Sequence, residues 1–251
     1  MTNAFDLTGS TAVVTGGGRG LGLGISRALI DAGADVVVLG RSGIPDDLVA
    51  YAAARGRAVS FEGIDLADPD GIKAAADRVL DAHQVDILVN NAGAQDRYPA
   101  VDFPLDAWDA VFQVNLRAVF QLCRLVGRPM LERGAGSIVN LASVLSFRGG
   151  TSVPAYAASK GAVAQLTKAL CNEWAGRGVR VNAVAPGYMA TDMNAALLAD
   201  PVRQEQISAG IPAGRWGHPE DIGHVVTFLA SPAAAYVHGH ILAVDGGWLA
   251  S

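Results

Sequence analysis

The stretch "TAVVTGGGRGLGLG" (residues 11–24) decides the fold. It opens as a short β-branched apolar run, passes through a glycine-rich turn and enters an amphipathic segment over 20–32, a strand–turn–helix pattern. The glycines do not fit G-x-G-x-x-G in any register. They fit G-x-x-x-G-x-G through Gly16, Gly20 and Gly22. That spacing meets three needs of a dinucleotide site: a tight turn, a backbone that approaches a pyrophosphate, and a helix N-terminus whose free N–H groups face the phosphates. Gly18, Arg19 and Leu21 belong to the same turn. A merely flexible glycine loop is the alternative, and the strand before it and the helix after it count against that reading.

The rhythm set by this stretch continues outward. "DVVVLG" (35–40), "AVSFEGID" (58–65), "DILVN" (86–90), "GSIVNLAS" (136–143), "VRVNAVAP" (179–186) and "HILAVD" (240–245) read as further strands. Most are continuous apolar runs, as parallel strands covered on both faces require. Helices are expected at 20–32, 69–82, a long 104–132, 154–176 and 219–230, several opening with Pro or Asp near the first turn. The alternation predicts an α/β fold: a Rossmann-like, doubly wound parallel sheet of about seven strands with right-handed crossovers. No linker or composition break divides residues 1–251, so a single dinucleotide-binding and catalytic domain is expected. Residues 187–218 interrupt the rhythm between the sixth strand and the next helix. Ligands in open α/β sheets bind beyond the carboxyl ends of the strands, so this insertion is expected to be a substrate lid.

Composition narrows the function. Apolar residues make up 51% of the 251 and charged residues 17%, as in a core-rich globular protein. The net charge is −5 with no long run of one sign, which argues against nucleic acid as a partner, because phosphate binding needs a basic face. No signal peptide is read in "MTNAFDLTGSTAVV", and no charge-free run of about 18 apolar residues suggests a membrane span. Cys123 and Cys171 fall in helix-like segments and are expected to be buried, reduced thiols of a cytoplasmic protein. His218, His224, His238 and His240 show no ligand spacing with Cys or carboxylates, so no metal site is expected.

The second strand ends "VLGRSG". In an NAD site an acidic residue there holds the adenosine ribose hydroxyls. Here Gly40 is followed by Arg41 and Ser42, and Asp35 lies at the wrong end of the strand. An arginine free of a competing carboxylate suits a 2′-phosphate, and Arg19 adds a second positive charge. NADP is therefore expected over NAD, with NAD still possible. Solvated surface arginines are the alternative.

"TGGGRGLG", "NNAG" (90–93), "VNL" with Asn115, Ser143, "YAASK" (156–160) and "PGYMAT" (186–191) occur in an order and spacing that resemble the short-chain dehydrogenase/reductase family over essentially the whole chain. "ASVLSFRGG", "VPAYAASK", "NEWA", "IPAGRWGHPED" and "AVDGGWLA" resemble its sugar-acid branch more specifically. The resemblance implies a catalytic set of Asn115, Ser143, Tyr156 and Lys160. It implies that Asp65, with Leu66, binds adenine, that Asn90, Ala92 and Gly93 pack against the adenosine ribose, and that Asn91 is a further cofactor-binding residue. Pro186, Gly187, Met189 and Thr191 would hold the nicotinamide end, and Lys160 the nicotinamide ribose. Asn115 would hold a water that connects Lys160 to solvent. Two stretches depart from the branch: "GRSG" differs from its NAD-using members, and "AGAQDRYP" (92–99) carries only Arg97 where a basic pair is expected.

Tyr156 and Lys160 are four apart, so on a helix they share one face. A tyrosine with a pKa of about 10 is a poor base at neutral pH. A neighbouring ammonium is expected to lower that pKa, and a drop of about 3 units is worth roughly 4 kcal/mol. Tyr156 could then take the proton of an alcohol as hydride leaves, while Ser143 bonds the substrate oxygen. Arg97, Arg148 and Arg215 are candidates for a substrate carboxylate. Leu145, Tyr188, Met193 and Trp216 are candidates for the pocket wall. The expected activity is an NAD(P)-dependent alcohol–ketone interconversion on a small molecule, and the resemblance implies a sugar acid of the gluconate/5-ketogluconate type. A reductase of another carbonyl, such as a 3-oxoacyl thioester or a cyclic ketone, and a non-catalytic dinucleotide sensor are the alternatives. The resemblance also implies a homotetramer built on the long helices 104–132 and 154–176 and the C-terminal "HILAVDGGWLAS".

Overall fold

The computed structural model describes residues 3–251. Seven strands form one sheet: β1 (Thr11–Thr15), β2 (Asp35–Gly40), β3 (Val59–Gly63), β4 (Ile87–Asn90), β5 (Gly136–Leu141), β6 (Val179–Pro186) and β7 (Ile241–Val244). Their order is β3-β2-β1-β4-β5-β6-β7, with every neighbouring pair parallel. The chain moves one way from β1 to β3 and the other way from β4 to β7. The reversal opens a crevice at the carboxyl ends of β1 and β4, where α/β sheets bind ligands.

The alternation of side chains along each strand sorts the core into two layers. On one face Ala12, Val14, Val36, Val38, Val89 and Val139 pack with Ile25, Leu29 and Ile30 of α1 (Gly20–Asp31) and with Ile222, Val226 and Leu229 of the helix Pro219–Ala230. On the other face Val13, Val37, Leu88, Ile138 and Val181 meet Ile72 and Val79 of the helix Pro69–Ala82, Leu122, Val126 and Met130 of the helix Ala118–Arg133, and Leu170 of the helix Pro154–Trp174. In chain order the helices are α1, α2 (Asp46–Ala53), α3 (Pro69–Ala82), α4 (Leu105–Phe112), α5 (Ala118–Arg133), α6 (Pro154–Trp174), α7 (Ala195–Leu198), α8 (Pro201–Ala209) and α9 (Pro219–Ala230).

Three local features depart from the sequence expectation. The long helix over 104–132 is two helices, α4 and α5, joined by a π-helical turn at Gln113–Arg117. The third strand is shorter than 58–65 and is an edge, with Phe61 exposed, so only one of its sides is paired. The 187–218 insertion holds the short helices α7 and α8. Its base is pinned where Ala190 N–H donates to the Gly217 carbonyl (2.8 Å) and Gly217 N–H donates to the Tyr188 carbonyl (2.9 Å). Among the described residues no helix is long and apolar enough to cross a membrane.

Candidate active site

The glycine turn lies at the crevice. Gly16 and Gly20 have φ of +65° and +51°, which side chains rarely adopt. At Gly22 the constraint is contact: a Cβ there would stand 2.0 Å from the Gly16 carbonyl oxygen. Helix α1 starts at Gly20, with Arg19 extended before it and no side chain capping the first N–H groups. Those donors remain available to an anion. Thr15, absent from the sequence-based set, stitches this turn to the next. Its hydroxyl accepts from the N–H groups of Asn91 (3.0 Å) and Ala92 (2.9 Å), and Asn91 Nδ2 donates to the Thr15 carbonyl (2.8 Å).

Gly18 faces the loop after β2, where a Cβ would lie 3.3 Å from the Gly43 carbonyl. Arg19, Arg41 and Ser42 are exposed around that junction, and neither arginine forms an ion pair among the described residues. Asp65 is exposed, and one carboxylate oxygen accepts from Ala67 N–H (2.9 Å). The Leu66 carbonyl accepts from Gln113 Nε2 (3.0 Å), so the π turn anchors the Asp65–Leu66 loop.

Asn90 requires a correction. Its side chain does not face a ribose. It is buried, with Nδ2 donating to Asn140 Oδ1 (2.8 Å) and to Cys123 Sγ (3.3 Å). The strand pleat sends it into the core, and only its main chain is left toward the crevice. Gly93 lies beside two of the expected catalytic side chains: a Cβ there would be in ordinary contact, 3.4 Å from Asn115 Oδ1 and 3.7 Å from Lys160 Nζ.

The four residues expected to be catalytic converge at the carboxyl ends of β4 and β5. Ser143 follows β5 and caps a 3₁₀ turn at Val144–Ser146, where its hydroxyl accepts from Leu145 N–H (3.1 Å). Tyr156 and Lys160 stand on one face of α6, with the ammonium 5.7 Å from the phenol ring centroid. Lys160 is buried and donates to the Leu141 carbonyl at 2.5 Å. Burial brings the Lys160 pKa down to about 8. Burial also raises the Tyr156 pKa, and the neighbouring Ser143 hydroxyl pulls it part of the way back. The expected lysine-driven depression does not appear: burial is the larger cause, and the Lys160 ammonium is turned to the Leu141 carbonyl.

Asn115 lies fully buried in the π turn. Its Oδ1 accepts from Ala94 N–H (2.7 Å), and its Nδ2 donates to the Ala94 carbonyl (2.9 Å) and to Ser159 Oγ (3.0 Å). Ser159 in turn donates to the Tyr156 carbonyl (2.8 Å). The side-chain amide is therefore occupied, and a water held by Asn115 would have to use its main chain. Ser146 is a second tie that sequence reasoning missed. It accepts from Ser143 N–H (3.3 Å) and donates to the Lys160 carbonyl (2.7 Å). A serine in a 3₁₀ turn carries no sequence signature of such a role.

A cavity of about 390 Å³ opens over this group. Leu21, Asn91, Gly93, Ser143, Leu145, Tyr156, Lys160, Pro186, Gly187, Tyr188, Met189 and Thr191 line it, together with Arg97, Arg148 and Met193. Gly187 allows β6 to pass β7, since a Cβ there would lie 2.7 Å from Asp245 Cα. Two expectations are corrected. Arg215 does not line this cavity; it forms a bidentate pair with Asp221 (2.7 and 3.0 Å) that pulls the acid's pKa down to about 2. Trp216 does not line it either. It is buried behind Tyr188 (centroids 5.3 Å apart) and donates from Nε1 to Ser208 Oγ (3.1 Å). Trp248 and Arg203 line the cavity and were missed. Trp248 packs edge-on against Tyr188 and lies under the Arg148 guanidinium. Among the described residues no group of three or more His, Cys, Asp or Glu side chains is arranged to hold a metal, and both cysteines are free and buried.

A family model described as enoyl-(acyl carrier protein) reductase matches residues 16–249. The 2-dehydro-3-deoxy-D-gluconate 5-dehydrogenase of Bacillus subtilis (strain 168) is 50% identical over 98% of this chain and 97% of its own. The chain belongs to the short-chain dehydrogenase/reductase family. It is accordingly an NAD(P)-dependent oxidoreductase. Gluconate 5-dehydrogenase of Gluconobacter oxydans (strain 621H) is 40% identical over 97% of this short-chain dehydrogenase/reductase and 96% of its own chain. A solved Beutenbergia cavernae structure with NADP bound at low occupancy has a TM-score of 0.96 at 51% identity, covering 99% of this chain and all of that one. The gluconate 5-dehydrogenase of Burkholderia cenocepacia J2315, solved with NADP and tartrate, has a TM-score of 0.92 at 39% identity, covering 99% and 98%.

Proposed function

We propose that the protein interconverts a secondary alcohol and a ketone on a sugar acid of the gluconate/5-ketogluconate type, with NADP preferred over NAD. One observation carries the reading: Ser143, Tyr156 and Lys160 share a cavity with Arg97 and Arg148, and no Asp or Glu side chain lines it among the described residues. Such a wall attracts a carboxylate and leaves a neutral ketone without a partner for those charges.

The residues present fit NADP. Gly22 leaves the glycine turn open where a side chain would strike main chain, and α1 offers uncapped N–H groups to phosphate. Arg19, Arg41 and Ser42 would hold the 2′-phosphate, Asp65 and Leu66 the adenine, and Asn91, Ala92 and Gly93 the ribose. Pro186, Gly187, Met189 and Thr191 would hold the nicotinamide. When bound, the nicotinamide supplies or accepts the hydride. Ser143 bonds the substrate oxygen. Tyr156 moves the proton at that oxygen as general acid or base. Burial raises the phenol's pKa, which favours the protonated form that would give a proton to a ketone oxygen during reduction. Lys160 positions the nicotinamide ribose and adds its charge beside the phenol. Asn115 fixes the loop at Ala94 and, through Ser159, the helix that carries Tyr156.

The same reading takes residues 1–251 as one domain that works as a homotetramer in the cytoplasm. Val101, Leu105 and Phe120 are exposed apolar residues around the α4–α5 pair and suit a subunit contact. Free, buried cysteines suit a reducing compartment. A sugar-acid and sugar-alcohol panel, run with NADP and NAD and followed at the reduced-nicotinamide absorbance, tests the function. Turnover of gluconate with NADP is the expected result, and none with any sugar acid overturns it. A monomeric mass by light scattering overturns the tetramer.

A further inference from the structure

The cavity takes its third arginine from a place the sequence reading did not single out: Arg203 in place of Arg215. Lys160, Arg97, Arg148 and Arg203 all line it, in a chain whose net charge is −5. None of the three arginines forms an ion pair among the described residues. Their settings differ. Arg97 lies in the loop after β4, and Arg148 lies after the Ser143 turn with its guanidinium 5.6 Å from the Trp248 ring centroid. Both belong to the scaffold. Arg203 belongs to the 187–218 insertion, on α8.

The orientation of α8 follows from its contacts. Arg203 and Ile207 are four apart, on one helix face, and both line the cavity. Ser208, at the far end, accepts from Trp216 Nε1, which fastens that end to the buried Trp216 behind Tyr188. The acid beside Arg203 is committed elsewhere: Asp200 Oδ1 accepts the main-chain N–H groups of Val202 and Arg203 (3.1 Å each). Glu205 is two residues along, where helix side chains do not face each other. Among the described residues the guanidinium is therefore an unpaired cation of the insertion that lines the same cavity as the scaffold arginines.

We propose that Arg203 is a specificity-determining residue: it bonds the carboxylate of the substrate from the lid, so that the acid group is held between lid and scaffold. This rests on the sugar-acid reading given above and adds the residue that distinguishes an acid from its neutral alcohol. A neutral hydroxymethyl end gives Arg203 nothing to neutralise. The acid end gains a charge-assisted bond in a partly enclosed site.

The test is equilibrium binding of D-gluconate and D-glucitol to the full chain loaded with NADPH. The two probes differ only in carboxylate against hydroxymethyl. Where glucitol is too weak to titrate, its inhibition constant against gluconate oxidation supplies the value. In Arg203→Gln the gluconate-to-glucitol affinity ratio is expected to fall about tenfold or more, with Arg203→Lys recovering part of it. A ratio in Arg203→Gln within twofold of wild type, in a protein that prefers gluconate, overturns this inference alone. Wild type that binds no gluconate overturns it together with the functional reading.

Discussion

Ser146 joins the two halves of the catalytic group: its hydroxyl donates to the Lys160 carbonyl at 2.7 Å while accepting the N–H of Ser143 at 3.3 Å. The turn that aims Ser143 and the helix that carries Tyr156 and Lys160 are thus held at a set separation by one side chain. Ser146→Ala removes both bonds, each worth about 1 kcal/mol net. We expect kcat to fall roughly three- to thirtyfold with KM changed much less, and Ser146→Thr to restore most of the loss. Equal falls in both variants, or a change confined to KM, would refute this positioning role.

The buried Lys160 gives stability a defined pH dependence. Its folded-state pKa of about 8 lies below the ordinary value of 10.5. Between these values the unfolded chain binds the extra proton, so this residue's contribution to stability rises with pH. Below about pH 8 both states are protonated and the full burial cost is present, roughly 3 kcal/mol. Relative to Lys160→Met, wild type should gain stability from pH 8 to pH 10.5 and change little from pH 6 to pH 7.5. Denaturant melts of both proteins across that range measure the difference, and parallel curves would contradict it.

Arg41 is exposed at the end of β2 and forms no ion pair among the described residues. Arg41→Ala should raise KM for NADP about tenfold to a hundredfold and leave KM for NAD within about twofold. Steady-state kinetics with both cofactors decide it. A matched rise for both would mean that the arginine does not read the 2′-phosphate.

Gly22 has no room for even one carbon, with the Gly16 carbonyl 2.0 Å from the place of a Cβ. Gly22→Ala must displace the glycine turn or the start of α1. Strain of about 1–3 kcal/mol follows. A lower melting temperature and at least tenfold weaker NADPH binding, read by fluorescence titration, are expected. Wild-type affinity in this variant would mean that the turn is not the phosphate cradle.

The sheet and most helices were legible because parallel strands buried on both faces leave long apolar runs, as in β1, β2 and β6. The edge strand β3 was overextended because its exposed residues follow no such pattern. In the site, the Tyr156–Lys160 spacing and the glycines are local signals, and they were read. Thr15, Ser146, Ser159 and Arg203 gain their places from neighbours distant in sequence, through hydrogen bonds or a shared cavity that no local pattern encodes. Asn90 was misassigned because adjacent residues of a strand end point to opposite faces: Asn91 toward the glycine turn and Asn90 toward the core.

The π turn at Gln113–Arg117 acts on the chain as an inserted letter acts on a line of text. One residue of an α-helix corresponds to about 100° of rotation. Deleting any residue between 113 and 117 would restore even winding and rotate α4 against α5 by that angle. Either Asn115 would then swing away from Ala94, or Leu122, Cys123 and Val126 would leave the sheet. The catalytic loop and the hydrophobic layer under β4 are therefore kept in phase by the same five residues, and a deletion there spares at most one of them.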